Sequence, residues 1–486
     1  MSKLKKSAKS FMAGLSYKYS TLSKKHPKLA KALPIFLVAI VGTAVVLFAS
    51  AATFSIGIEP ETNIASNLVV SDSTASGGKA VQFGGSVVAA DCPAISGVTC
   101  KEIDGGVNYY SKWQNTLPSD PNFFPLSIFN GFDLANKAAG HKAAGINTYI
   151  GLYNGPLSGS PSDISVAKSL GMYTIVGGNY STDASFKNSW GSTAAGYVYQ
   201  DEAEGDTCNK IDVDFLKAIC KESGGKILTS SFVEMSNLLR AKDTTRPVYQ
   251  GFTNGFGCNW YVNGSVQDLA DSGDIIGYDV YVKIIDYDYG TCFDHERDWG
   301  HYQTVSATRG YAGYKKPIMP VIEMTAMDPS LNSSGNAPTT ADIKAMPWQA
   351  IIGGARGITW FNNDFTSNGG SQDILNDSRY TSVRAAVTSV NQQITRLAPV
   401  INSPFVNGFY TNTGSITSMA KYSKGENAIY VFAGAKSTSS QNVSFTIKSG
   451  ASVTVVDESR TIPISNGVFS DAFSGEAAYH IYKVAL

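Results

Sequence analysis

Charged side chains are scarce in this 486-residue chain, at 16% of the whole, and several common signatures are missing. There is no Cys-x-x-Cys pair, no His-Glu-x-x-His and no EF-hand spacing. A zinc or calcium site therefore has no support from the sequence. The acidic run with Asp286, Asp288, Asp294 and Glu296 reads as a solvated loop. No Gly-x-Ser-x-Gly elbow points to a serine hydrolase. No phosphate-binding glycine fingerprint follows the first strand-like run, and Gly353–Gly357 reads as a helix-to-strand turn. No repeat with a period between 20 and 50 residues stands out. No organic cofactor or metal is implied.

Acid is also missing from residues 1–31, which carry nine lysines. Without them the rest of the chain holds 30 basic against 39 acidic residues. That acidic balance argues against nucleic-acid binding, which needs a basic surface. The segment Leu33–Ile58 has no charge at all and is long enough to cross a bilayer. Lysines on its N-terminal side place that side in the cytoplasm and the remainder outside. Ala49-Ser50-Ala51 resembles a signal-peptidase site, so both a single-pass membrane anchor and a secreted product stay open, the anchor being favoured by the long basic tip.

All six cysteines follow this segment. An even number in an oxidising compartment points to disulfides. Nearness in sequence favours Cys92–Cys100, Cys208–Cys220 and Cys258–Cys292.

Along the chain, residues 1–32 form the basic cytoplasmic tip, 33–58 the apolar segment and 59–79 a Ser/Thr/Asn/Gly-rich linker. Residues 80–122 read as an N-terminal extension of the domain that follows. From Phe123, eight short apolar or aromatic runs alternate with amphipathic stretches. The runs are Phe123–Phe129, Ile146–Tyr153, Met172–Gly177, Gly196–Gln200, Arg246–Gly251, Asp274–Val282, Pro317–Met324 and Gly357–Phe361. Helical patterns are expected at Phe132–Ala144, Ser162–Leu170, Ile211–Lys221, Phe232–Ala241, Phe293–Gly310, Thr340–Ile352 and Arg379–Leu397. Parallel strands need crossover helices, so this rhythm predicts an α/β fold, a (β/α)8 TIM barrel over 123–399. From residue 400 to 486 the helical period vanishes, and short alternating strands predict an antiparallel β-sandwich.

In such a barrel, functional groups project from the C-terminal strand ends. The fourth run climbs through Tyr197, Val198 and Tyr199 into Asp201, Glu202, Glu204 and Asp206. The seventh ends in Glu323, a lone acid in an apolar stretch. Ionised groups are seldom left in such places unless paired or working. Splitting an acetal needs one carboxylic acid to protonate the leaving oxygen and a second carboxylate to attack or to activate water. Glu202 and Glu323 meet that need, with Glu204 as the alternative acid and a structural ion pair as the plain reading of each.

Phe-Pro-Leu on the first strand, Ala-Gly-Ile-Asn-Thr at the second, Asp201-Glu202, Glu323 and Gly-Ala-Arg-Gly-Ile-Thr-Trp-Phe on the eighth together resemble the clan A (β/α)8 glycoside hydrolases. The resemblance covers roughly Phe123–Leu486, including the closing β-rich stretch. It implies a glycoside hydrolase with Glu202 as acid/base, Glu323 as nucleophile and retention at the anomeric carbon. Asp201 stands where the clan usually has Asn to hold the sugar 2-hydroxyl. Tyr281 is placed to hydrogen-bond the nucleophile or to fill the core. Trp360 is either a platform under a sugar ring or a packing residue. Trp260, Tyr261 and Trp299 either line outer subsites or cover the core edge. The implied partner is an extracellular or cell-envelope polysaccharide or oligosaccharide. A transglycosylase using the same residues and a non-catalytic glycan-binding barrel are the alternatives.

Overall fold

Eight runs rich in β-branched and aromatic residues form the central sheet: β1 Leu126–Phe129, β2 Thr148–Ile150, β3 Tyr173–Gly177, β4 Ala194–Val198, β5 Tyr249–Phe252, β6 Ile275–Asp279, β7 Ile318–Glu323 and β8 Ile358–Phe361. In the computed structural model all neighbours pair in parallel, in the order β5-β6-β7-β8-β1-β2-β3-β4. The model describes residues 69–71, 79–81 and 92–486 except 130–132, 152–159, 260–262, 285–291, 295–296, 328–336 and 366–369. The ring closes at a parallel bridge between Tyr197 and Val248. Tyr197 N donates to Pro247 O at 2.9 Å, and Arg246 Nε donates to Ala194 O at 2.7 Å. Strands covered on both faces must be apolar throughout, and β1, β4 and β7 are buried at every position.

Helices follow the strands: α1 Leu134–Ala143, α2 Pro161–Ser169, α3 Ala184–Trp190, α4 Thr229–Lys242, α5 Val266–Ser272, α6 Gly300–Tyr311, α7 Thr340–Gly353 and α8 Thr381–Ile401. Local chemistry sets their ends. Ser160 caps α2 with Pro161 in the first turn, Thr339 and Asp342 form a reciprocal capping box at α7, and Gly354 leaves α7 at φ +101°. Besides the single turn Asn254–Gly257, two helices among the described residues are additional to those expected, α3 and α5. Each has seven residues, too few for a clear period, but each starts at a side-chain cap, Asp183 or Ser265. The helix expected over Ile211–Lys221 shrinks to the turn Asp214–Lys217. Ile211 and Val213 are both buried there, a spacing of two that no helix face supplies.

After α8 the chain becomes antiparallel. The strands are β9 Phe405–Asn407, β10 Tyr410–Asn412, β11 Ile416–Ser423, β12 Ala428–Ala435, β13 Gln441–Ile447, β14 Ser452–Val455, β15 Arg460–Pro463, β16 Val468–Phe473 and β17 Tyr479–Ala485. A larger sheet, β15-β14-β17-β12-β11-β9, faces the smaller β10-β13-β16. Phe445 of the smaller sheet meets Tyr482 of the larger with ring centroids 5.1 Å apart. The other face of the larger sheet presents Phe432 to Trp348 of α7, stacked at 5.6 Å. One continuous apolar core therefore links barrel and sandwich.

The segment expected to extend the barrel divides its attachments. Thr99–Lys101 pairs with β9 and becomes the edge strand of the larger antiparallel sheet. Tyr109, Tyr110 and Leu117 pack on Ile275, Met319 and Tyr249 and close the barrel floor. Cys92–Cys100, Cys208–Cys220 and Cys258–Cys292 are the disulfides formed. The basic tip, the apolar segment Leu33–Ile58 and most of the linker lie outside the described residues. Among the described residues no helix is long and apolar enough to cross a membrane.

Candidate active site

Past β4 the backbone leaves the sheet and turns sharply. Asp201 is half-buried, Glu202 is exposed and Glu204 is 1% exposed. Glu202 sits at φ +49°, in the left-handed region that non-glycine residues seldom occupy. Strain of this kind costs on the order of 1 kcal/mol and gathers at functional sites.

Glu204 is fixed by β5. Its Oε1 accepts hydrogen bonds from Thr253 N at 2.5 Å and Thr253 Oγ1 at 3.0 Å. A Cβ on Gly255 would fall 2.2 Å from Glu204 Cγ, so only glycine fits beneath this carboxyl. A Cβ on Gly251 would lie 3.5 Å from Asp201 Oδ1, which places Asp201 over the end of β5.

A further carboxyl joins them. Asp279, the last residue of β6, lies within hydrogen-bonding reach of Glu202, and Tyr281 donates to its Oδ2 at 3.1 Å. Tyr281 is 6% exposed and meets Phe361 of β8 edge-on, with centroids 5.5 Å apart. Asp279 is absent from the sequence-derived candidates. It carried the same signal as Glu323, an acid closing the apolar run Ile275-Ile-Gly-Tyr-Asp279.

Crowding these acids into a poorly hydrated mouth holds protons on them. Burial first, then the neighbouring Glu202 and Glu204, lifts Asp201 to about 8. Burial lifts Glu204 to about 7 against the pull of the Thr253 hydrogen bonds. Burial, then the charge of Glu202, raises Asp279 far above the ordinary carboxyl range. The Tyr281 phenol is likewise pushed up, by burial and then by Asp279. Acids whose proton affinity is raised in this way can give up or take a proton near neutral pH, as acid/base chemistry requires.

Glu323 closes β7 and has no exposed surface. Its Oε1 accepts from Lys283 N at 2.7 Å, and its Oε2 lies 3.3 Å from His301 Nε2 of α6 without hydrogen-bond alignment. Its partners are thus a backbone amide and an imidazole rather than an arginine. Register relates it to the cluster: Asp279 pairs with Val321, two residues before Glu323, and Glu323 pairs with Phe361. His301 had no sequence signal, being one polar residue in an amphipathic helix.

The aromatic candidates fare differently. Trp360 is fully buried and faces α8, donating to Asn391 Oδ1 at 3.1 Å. It is a packing residue and no sugar platform, because consecutive residues of a barrel strand alternate between lumen and helices. Trp299 precedes α6, is 7% exposed and donates to Asp294 Oδ2 at 2.5 Å, so its ring offers no open face. Trp260, Tyr261, Asp286 and Asp288 lie outside the described residues.

Several buried polar atoms around the mouth have no protein partner: Gln200 Oε1, Glu204 Oε2, Gln250 Oε1, Asp279 Oδ1 and Thr359 Oγ1.

No family model matches this chain, and no curated protein does. Among solved structures it is similar to an alpha-amylase from Geobacillus thermoleovorans complexed with acarbose, at 9% identity and TM-score 0.45, over 75% of this chain and 99% of that one. A glycoside hydrolase family 5 structure from Bacteroides vulgatus gives 13% identity and TM-score 0.47 over 75% and 89%. A GH30 endoxylanase from Clostridium papyrosolvens gives 11% and 0.41 over 78% and 98%. At these identities and scores the likeness carries nothing about chemistry. The residues of the site must carry it.

Proposed function

We propose that this protein is a retaining glycoside hydrolase. The observation that supports this reading is the gathering of Asp201, Glu202, Glu204 and Asp279 at the C-terminal barrel mouth, where burial and mutual repulsion raise the proton affinity of Asp201, Glu204 and Asp279. Glu202, exposed and reachable, protonates the glycosidic oxygen. Asp279 is its proton-sharing neighbour. Glu323, on the next strand, attacks the anomeric carbon and forms the glycosyl-enzyme, and Glu202 then deprotonates the water that releases the sugar. Asp201 binds a sugar hydroxyl. A second reading makes Asp279 the nucleophile, favoured by the complete burial of Glu323.

The test is a screen of the full chain on polysaccharides and aryl glycosides, followed by Glu202→Gln, Glu323→Ala and Asp279→Ala. Glu202→Gln is expected to lose about 10²-fold or more in turnover of substrates with poor leaving groups. Azide should rescue Glu323→Ala. Rescue confined to Asp279→Ala would move the nucleophile to Asp279, and a folded wild type that cleaves nothing would leave only glycan binding. We place the barrel outside the membrane, an orientation supported by the Lys-rich tip before an uncharged segment and by three disulfides beyond it. Protease added to intact cells should remove the barrel if it is membrane-anchored. Protection from protease would oppose this placement.

A further inference from the structure

The two groups that meet the Glu323 carboxyl flank the connection between β6 and α6. Lys283 N stands at its start and His301 Nε2 just past its end. The same connection sends one cation from each end to a single residue of the antiparallel domain. Lys283 Nζ contacts Glu476 Oε1, and Arg297 Nη1 lies 3.4 Å from Glu476 Oε2. Glu476 sits in the turn between β16 and β17.

Asp298 and Asp342 complete the socket. Lys283 Nζ is 3.5 Å from Asp298 Oδ1 and 3.6 Å from Asp342 Oδ1. With Glu476, these acids bring oxygens within 4.8 Å of one another, a spacing that suits a cation. The lysine ammonium touches all three and fills that need itself. Its side chain is only 12% exposed, and Asp298 is fully buried, so the pairing is shielded from solvent screening.

We propose that Glu476 is a positioning residue: by holding both ends of the β6–α6 connection it sets the Lys283 amide and His301 against Glu323. The antiparallel domain thereby fixes the geometry of the proposed nucleophile, an inference that rests on the role given to Glu323 above.

Full-length Glu476→Gln keeps the shape and removes the charge, whereas Glu476→Asp keeps the charge. Glu458→Gln, which breaks an ion pair with Arg460 and a contact with His480 in the same domain, is the control. Two quantities are read: hydrogen exchange of the Lys283 amide, and kcat and KM on a glycoside that the wild type cleaves. Glu476→Gln should speed exchange at Lys283 and lower kcat about tenfold, with KM changed less than about twofold. Glu476→Asp should restore most of both, and the control should move neither. Unchanged exchange at Lys283 overturns the proposal, as does faster exchange with unaltered kcat. Should the wild type cleave no glycoside, the functional reading fails separately, and the exchange arm still decides whether Glu476 orders this amide.

Discussion

Replacing Glu204 by glutamine should flatten the pH dependence of stability. Glu204 is 1% exposed, and burial lifts its proton affinity from the ordinary 4.5 to about 7. The unfolded chain surrenders this proton near 4.5, whereas the folded chain keeps it until about 7. Between those values the folded state binds more protons, so stability falls as pH rises. The contribution is complete below 4.5 and is lost on passing through 7. At about 1.4 kcal/mol per pH unit, the loss approaches 3 kcal/mol by about pH 8. Glutamine retains an oxygen for Thr253 and sets its amide where Oε2 has no protein partner, so the packing is preserved. Urea unfolding of both proteins, disulfides intact, at about pH 5 and about pH 8 measures the difference. The wild type should lose about 3 kcal/mol more than the variant across that interval. Relief of Asp201, whose proton affinity Glu204 helps to raise, would enlarge the gap. Parallel stability curves would refute the argument, because Glu204 would then ionise in the folded barrel as it does in the open chain.

Two further outcomes concern the frame. Arg246 is 1% exposed, pairs with Asp243 at 2.8 Å and donates to the carbonyls of Lys187, Gly191 and Ala194 across the β4–β5 seam. Arg246→Met should destabilise by about 3–5 kcal/mol, because Asp243 is left buried and unpaired; a denaturant midpoint near that of the wild type would contradict this. Trp348 stacks on Phe432 and donates to Gln393 Oε1 at 2.9 Å. Trp348→Ala should remove about 3–5 kcal/mol while barrel and sandwich still melt together, and two separate calorimetric transitions in the wild type would show that they do not share a core.

Much of the barrel was legible because its signals are local. Each of β1–β8 overlaps an expected run, since strands covered on both faces must be apolar along their length, although β4 begins and ends two residues earlier than the expected Gly196–Gln200. The disulfides followed from nearness in sequence. Helices α3 and α5 escaped notice because seven residues hardly complete two turns, although their caps were present. Thr99–Lys101 was unreadable as a sandwich strand, since its partner β9 lies some three hundred residues away.

The site divides along the same line. An acid ending an apolar strand is a sequence property, and it singled out Glu202 and Glu323; read with equal rigour, it would have added Asp279. By itself, then, the chain determined the parallel barrel, its antiparallel companion and the strand ends where chemistry belongs, because period and composition are written residue by residue. Only the tertiary structure decided that Glu202 neighbours Asp279, that His301 and Lys283 attend Glu323, and that Trp360 faces a helix. Those relations depend on register and side-chain direction, which long-range packing sets and no stretch of sequence contains.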